Sequence, residues 1–440
     1  MTEQAVFRKC AWRLLPPITA AFIINFLDRT NVGFAALTMN RELGFTPSAY
    51  GLGAGIFFLS YSIFQIPANL MLHRIGARRW LFLILAAWGA TAAATAMVGN
   101  APSFYVLRFL VGMAEAGFFP GIILYLTFWF PKRHLGRVTS IFMCANPVSF
   151  VIGGPIAGAI LSLDGTAGLR GWQWLFIVEG LPACVAAIAF LKLLPDGPAN
   201  ASWLTDNERR FISSSVAAEQ TGKEERLLSA LQNPRVYALA ISYGGILFAV
   251  YGFGFWLPLL VQTVGFPTTA TGFVMALLYV AAAPAMVLWA RSSDRGDERI
   301  WHAALPVLAA ALALLIASIV HNSVIMLISL ALTGAAMYSA LTPFYGVASS
   351  LLSGPAMAGG IALINMVGGF LGGFAGQYVI GIVREKTGSY GPALIIIAAS
   401  LAIAGLIILA LGRTMIPQLN PQWPVRLGNT NQPNGGGRDG

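Results

Sequence analysis

The chain has 440 residues, of which 57% are hydrophobic and only 10% charged, and its formal net charge is +10. Roughly a quarter of the residues of a water-soluble domain are charged, so this composition excludes an ordinary soluble surface. The basic excess does not mark a nucleic-acid protein either, because long apolar runs split the lysines and arginines into small groups that no single face could align along a phosphate backbone.

The apolar runs are each long enough to cross ~30 Å of hydrocarbon. The chain therefore reads as an all-α polytopic membrane protein. The first run, 16–38, follows Arg8, Lys9 and Arg13 and so resembles a secretory leader. Asp28 and Arg29 interrupt it and no small-residue cleavage site follows, so it is expected to be a retained span. Further spans are expected at 50–72, 80–98, 102–128, 138–162 and 174–194. The longest polar stretch then opens with Pro195-Asp196-Gly197-Pro198 and continues with Thr205-Asp206-Asn207-Glu208, a capping-box pattern for a short helix. Spans seven to twelve are expected at 236–262, 269–290, 302–320, 324–348, 357–383 and 391–412. The Pro-, Asn- and Gly-rich remainder reads as a disordered tail. The expected organisation is an N-terminal six-helix bundle (1–194), a cytoplasmic linker (195–235), a C-terminal six-helix bundle (236–412) and a cytoplasmic tail (413–440).

With both termini inside, the loops expected outside hold only Arg41, Arg170, Arg384 and Lys386. All other lysines and arginines beyond the spans fall on the cytoplasmic side, as the positive-inside rule requires. This places the chain as a multi-pass protein of a bacterial-type inner membrane. The two halves also repeat. Asn146-Pro147-Val148-Ser149-Phe150-Val151-Ile152-Gly153-Gly154 matches Asn365-Met366-Val367-Gly368-Gly369-Phe370-Leu371-Gly372-Gly373 at Asn, Val and the glycine pair. Arg74, Arg78 and Trp80 share their spacing with Arg295, Arg299 and Trp301. Two pseudo-symmetric bundles around a midplane site are the architecture of a rocking transporter.

Four charges lie inside the apolar runs: Asp28, Arg29, Arg108 and Glu115. Each costs about 2.5–3.5 kcal/mol at the centre of a membrane helix, so intramembrane charge faces a cavity or a partner and reads first as functional. Arg108 and Glu115 are two helical turns apart and share a face. Asp28 lies at a depth similar to Glu115. An arginine keeps its proton and offers a planar fork to a carboxylate, whereas a buried acid can take up and release a proton. Arg29 or Arg108 is thus assigned to a substrate carboxylate, and Asp28 and Glu115 to protons. Structural Asp–Arg and Arg–Glu pairing is the competing reading.

Phe26-Leu27-Asp28-Arg29-Thr30-Asn31-Val32-Gly33-Phe34-Ala35 resembles the first-span motif of the anion:cation symporter branch of the major facilitator superfamily. Arg108 with Gly112-Met113-Ala114-Glu115-Ala116-Gly117-Phe118-Phe119-Pro120 resembles its fourth-span signature. Gly171-Trp172-Gln173-Trp174-Leu175-Phe176, Glu179-Gly180 and Trp203-Leu204-Thr205 agree with that branch as well. The resemblance covers nearly everything but the tail, and implies the major facilitator fold and proton-coupled uptake of organic anions. It assigns protonation to Asp28 and Glu115, puts Arg108 near the substrate or in the coupling network, and adds Tyr61, Asn146 and Asn365 as cavity contacts. Phe26 is more like the tartrate, phthalate and hydroxyphenylacetate carriers than the sugar-acid carriers. The superfamily's gate motif implies a cytoplasmic latch from Arg74, Arg78, Arg79, Asp294, Arg295 and Arg299. Here the chain departs from the pattern, with Asn69 for the motif's Gly and His73 for its Asp, so a purely topology-setting basic loop competes.

No catalytic constellation is visible, and neither cofactor nor metal is expected. His73, His134, His302 and His321 are widely separated and read as interfacial, while Cys10, Cys144 and Cys184 show no ligand spacing. Gly222-Lys223 lacks the spacing of a phosphate loop. Glu179 reads as half of a structural pair near the cavity mouth. In span seven Tyr243, Phe248, Tyr251, Phe255 and Trp256 read as packing, with Tyr251 a candidate outer gate. The expected partners are protons, a small organic carboxylate (aromatic, tartrate-like or related) and the lipid bilayer, and the expected state is a monomer. A proton-coupled multidrug or metabolite exporter would favour acids without cavity arginines. The internal repeat and the carboxylates argue against an uncoupled anion channel.

Overall fold

A computed structural model describes residues 3–143, 145–217, 232–296, 298–351 and 354–419. Expectations for Cys144, Lys223 and the disordered tail from 420 onward lie outside these residues, as does the side chain of His73. Regular structure among the described residues is helical, and eleven helices are long and apolar enough to cross a membrane. A shorter apolar helix, Val148–Leu161, stands at the fifth expected span.

The first span is one helix, α1 (Glu3–Glu42), of 40 residues with Pro16 and Pro17 inside it. At 1.5 Å per residue it is about 60 Å long, twice the hydrocarbon thickness, so much of it projects beyond the apolar layer. The next helices are α2 (Pro47–Ile75), α3 (Ala77–Ala94), α4 (Ala101–Glu115), α5 (Phe118–Thr127), α6 (Lys132–Met143), α7 (Ala145–Leu161) and α8 (Gly171–Leu193). The linker helix α9 (Asp206–Ala217) precedes α10 (Pro234–Thr263), α11 (Thr268–Val280), α12 (Ala282–Gly296), α13 (Ile300–Ile319) and α14 (Ser323–Leu351). The eleventh span is α15 (Gly354–Gly368), a π-helical stretch Gly369–Ala375 and α16 (Gly376–Thr387). The last helix, α17 (Gly391–Leu419), runs beyond the expected end at 412.

Local signals set the ends. Thr46 caps α2 by accepting from the Ala49 N–H with Pro47 at the first position, and Asn100 and Ser103 form a capping box on α4. Two spans break in mid-course for one reason. Proline lacks an N–H for the carbonyl four residues back and its ring crowds that carbonyl. Pro120 acts so on Ala116, between α4 and α5, and Pro284 on Val280, between α11 and α12. The first break falls immediately after Glu115.

Helix α3 packs on α8, α2 on α4, and α1 on α7 and α8; in the second half α13 packs on α14 and α17, and α10 on α17. Contacts between the halves run α7 to α11, α2 to α16 and α1 to α10. At the end opposite the termini these contacts are backbone against backbone. A Cβ on Gly33 would lie 2.6 Å from the Gly254 carbonyl, one on Gly51 2.5 Å from that of Gln377, and one on Gly381 2.4 Å from that of Pro47. The Tyr50 hydroxyl donates to the Phe255 carbonyl at 2.9 Å across the same seam. At the terminus-bearing end a cleft of about 660 Å³ opens beside Phe7, Arg8, Trp12, Thr19 and His134.

The projecting start of α1 holds the linker helix. Lys9 donates to Glu208 at 2.9 Å, and the Phe7 and Phe211 rings lie 5.9 Å apart. The capping box at Thr205 and Glu208 forms, with the Thr205 N–H donating to Glu208 at 2.8 Å. That N–H, together with the Lys9 ammonium, holds the Glu208 carboxyl below the usual carboxylate range.

Candidate transport site

Asp28, Arg29, Arg108 and Glu115 come together inside the first half, each less than a tenth exposed. Helix α4 presents Phe104, Arg108, Val111 and Glu115 on one buried face, the spacing of a single helical stripe. Gly112 on that face lets α4 close on α2, since a Cβ there would sit 2.2 Å from the Phe57 carbonyl. This approach carries the Phe57 ring in between two guanidinium groups. Arg108 lies 4.7 Å and Arg29 5.4 Å from its centroid. Phe26 at 5.4 Å and Tyr61 at 5.0 Å complete an aromatic surround for Arg29, so cation–π attraction replaces part of the water both cations have lost.

Arg29 donates from Nη2 to Glu115 Oε1 as a buried ion pair. Asp28 is held differently. Trp88 Nε1 on α3 donates to its Oδ2 at 2.5 Å, and Asn31 Nδ2, one turn along α1, donates to its Oδ1 at 2.8 Å. Arg108 makes no ion pair among the described residues, and its Nε and Nη2 are buried without a partner, as is Glu115 Oε2. Two acids and two arginines balance to zero formal charge, with Arg108 unpaired among the described residues and Arg29 Nε also buried without a partner.

The second half meets this site through tyrosines. Tyr251 packs at a tilt on Phe58 with centroids 4.0 Å apart and lies beside Arg29. The hydroxyls of Tyr243 and Tyr345 are 2.7 Å apart, and Tyr345 donates to Asn365 at 2.8 Å. Tyr61 thus touches the charged cluster, whereas Asn365 belongs to the tyrosine chain opposite. Asn146 is half-buried with an unpartnered side-chain oxygen, and no contact joins it to the four charges among the described residues.

The residues assigned to a latch stay within their own halves. The backbone N–H of Arg78 donates to Asp196 at 2.9 Å and its Nε to the Leu191 carbonyl at 2.5 Å. Arg74, Arg79, Asp294 and Arg295 are exposed, and Arg299 lies over Gly346 of α14. No ion pair joins the two basic loops among the described residues. Glu179 differs from its expected role. It forms no ion pair among the described residues and lies buried beside Asn31 and Asp28 of α1.

Sequence reasoning missed Trp88, Asn31 as its co-donor, and Phe57. For Trp88 a signal existed: tryptophan favours membrane interfaces, and this one falls mid-span. Asn31 stood three residues from Asp28, the spacing of one helical turn.

Comparison with known proteins agrees with this architecture. The family model described as Major Facilitator Superfamily matches residues 18–377. A protein of Agrobacterium vitis named "Putative tartrate transporter" is 43% identical over 415 residues, covering 94% of this chain and 92% of the relative. The "Quinolone resistance transporter" of Acinetobacter baumannii is 34% identical over 432 residues, covering 96% and 99%. Among solved structures, a bacterial homolog of the human lysosomal transporter Spinster superposes with a TM-score of 0.78 at 18% identity, covering 95% of this chain and 99% of that one. Helices that span a membrane, a balanced charged cluster within them and this family match identify a transporter, not an enzyme: the chain belongs to the Major Facilitator Superfamily.

Proposed function

We propose that the protein is a proton-coupled symporter that takes up a small organic acid anion across a bacterial inner membrane by alternating access. Both termini face the cytoplasm in this reading, and the halves 1–194 and 236–412 rock about the site as a monomer. The observation that carries it is the open fork of Arg108 beside the Arg29–Glu115 pair. A substrate carboxylate would take the two free N–H groups of Arg108, a geometry suited to a planar anion. Protonation of Glu115 would dissolve its pair with Arg29 and release a second guanidinium to the substrate. Proton and anion then each favour the binding of the other, which is the thermodynamic content of coupling. Asp28, anchored by Trp88 and Asn31, supplies the second proton-carrying group. Tyr61, Asn146 and Asn365 are assigned to the cavity wall, and Arg74, Arg78, Arg79, Asp294, Arg295 and Arg299 to the cytoplasmic gate. In this orientation the glycine seam closes the outer face.

The test is uptake into proteoliposomes under an imposed pH gradient, with a panel of labelled aromatic, tartrate-like and related carboxylic acids. Wild type should accumulate at least one of them, and Asp28→Asn and Glu115→Gln should exchange without accumulating. Full gradient-driven uptake by both variants would refute the proton role. Export is a second reading, favoured by the relative named for quinolone resistance. It predicts that a proton gradient expels preloaded substrate instead of drawing it in.

A further inference from the structure

Two tyrosines of the second half carry hydroxyls that the mechanism above leaves unused. Tyr279 on α11 and Tyr338 on α14 are each 1% exposed, and both hydroxyls are buried without a hydrogen-bond partner among the described residues. An unpaired buried hydroxyl is a net cost, and phenylalanine would fill the same space without it. Two such groups side by side call for a partner from outside the chain.

The tyrosines lie next to the charged cluster. Phe150 of α7 stacks on Tyr279 with centroids 4.5 Å and planes 21° apart, and its centroid is 5.9 Å from that of Tyr338. The two tyrosine rings meet edge to face at 6.1 Å. Phe150 is also 6.2 Å from Phe26, the ring that holds the Arg29 guanidinium at 5.4 Å. Two ring contacts thus lead from a cavity cation to the phenols. The stack of Phe150 on Tyr279 crosses from one half to the other. One helical turn along α7 from Phe150, a Cβ on Gly154 would stand 2.2 Å from the Gly272 carbonyl of α11. One turn the other way, Asn146 carries a third buried atom without a partner, its Oδ1.

This wall is polar but uncharged. Helices α11 and α14 contain no charged side chain, and α10 contains only Arg235, in its first turn. A second carboxylate would therefore find no cation here, whereas a neutral hydroxyl would lose nothing by leaving water. A phenol can donate one hydrogen bond and accept another, as an alcohol can, so the two kinds of group pair without a change of charge.

We propose that Tyr279 and Tyr338 are specificity-determining residues that bind hydroxyl groups of the transported anion, which makes that anion a hydroxylated carboxylate. The inference rests on the organic-anion reading above, in which arginine in the first half holds the carboxylate. The hydroxyl-bearing end then reaches the phenols of the second half, so a single ligand bridges both halves as α7 and α11 part and rejoin. A deoxy analogue would leave the phenols bare. Such a site discriminates strongly, because the unpaired group is a penalty added to the lost bond.

The test is a binding titration of the full-length protein in detergent with matched acids: tartrate against succinate, and gluconate against hexanoate. Wild type should bind at least one hydroxy acid about tenfold or more tightly than its deoxy partner. Tyr279→Phe and Tyr338→Phe should each weaken that hydroxy acid about 2- to 10-fold and leave the deoxy acid unchanged. Their thermal midpoints without ligand should not fall, since each variant removes only an unpaired hydroxyl. A wild type with no preference for either hydroxy acid would overturn the proposal. So would variants that keep the wild-type preference, whether affinity for both acids is unchanged or falls equally, which would make the hydroxyls structural. The titration needs no gradient, so a hydroxy-acid preference without pH-driven uptake fails the symport reading alone. A preference lost in the tyrosine variants but indifferent to Arg108→Lys fails only the assignment of the carboxylate.

Discussion

Replacing Asp28 by Asn tests structure and function together. Asp28 accepts two hydrogen bonds, from Trp88 at 2.5 Å and Asn31 at 2.8 Å, one on each carboxylate oxygen. Asparagine has one oxygen and one NH₂, so whichever way it turns, a donor faces a donor. One charge-assisted bond worth about 1.5–3 kcal/mol is lost, and the other falls to an ordinary bond of about 0.5–1.5 kcal/mol. The sum is roughly 2–4 kcal/mol, to be read as a lower thermal midpoint in detergent. Transport should change in kind. Each unit of imposed pH gradient supplies ~1.4 kcal/mol per coupled proton, about a tenfold accumulation of substrate. Asp28→Asn should equilibrate substrate across the proteoliposome membrane and hold no such ratio. A variant with wild-type midpoint and undiminished accumulation would refute both the bonding arithmetic and the proton assignment.

Arg108→Lys keeps the charge but removes the planar fork. It should weaken substrate affinity roughly 10- to 100-fold, and unchanged affinity in a binding titration would make Arg108 structural. Gly33→Val puts a side chain where even a Cβ meets the Gly254 carbonyl at 2.6 Å. Overpacking of about 1–3 kcal/mol should open that end, measured as faster labelling of a cysteine placed at Ser48 by a membrane-impermeant reagent. Glu208 is held below the usual carboxylate range by the Thr205 N–H and Lys9, so its contribution to docking α9 is complete above the ordinary glutamate range. It fades as the pH falls through the depressed value. Limited proteolysis of the linker should quicken on acidification, and Glu208→Gln should reproduce the effect at neutral pH, at a cost of about 0.5–2 kcal/mol.

The helical spans were legible because apolar run length decides them, and the four buried charges because each stands out against hydrocarbon. Their partners were not. Whether Arg29 or Arg108 meets Glu115 depends on the rotation of α1 against α4. Periodicity within one helix carries no information about that rotation. The breaks after Glu115 and Val280 were written in Pro120 and Pro284, yet hydropathy reads straight through them. Helix α1 outran its apolar run because the helix continues into the polar residues that hold α9. Glu179 was expected in a pair because periodicity within α8 does not show which residues of α1 it meets.

The seam of Gly33, Gly51 and Gly381 has a consequence for energetics. Joints built from interlocking side chains freeze rotamers on closing and free them on opening, an entropy difference that biases the balance. Main chain resting on main chain has no rotamers to freeze. In the alternating-access cycle proposed above, parting these helices would change solvation and van der Waals contact but little configurational freedom of side chains, so rotamer entropy would add little to the difference between the two conformers. Ligand events worth only a few kcal/mol can then choose between them.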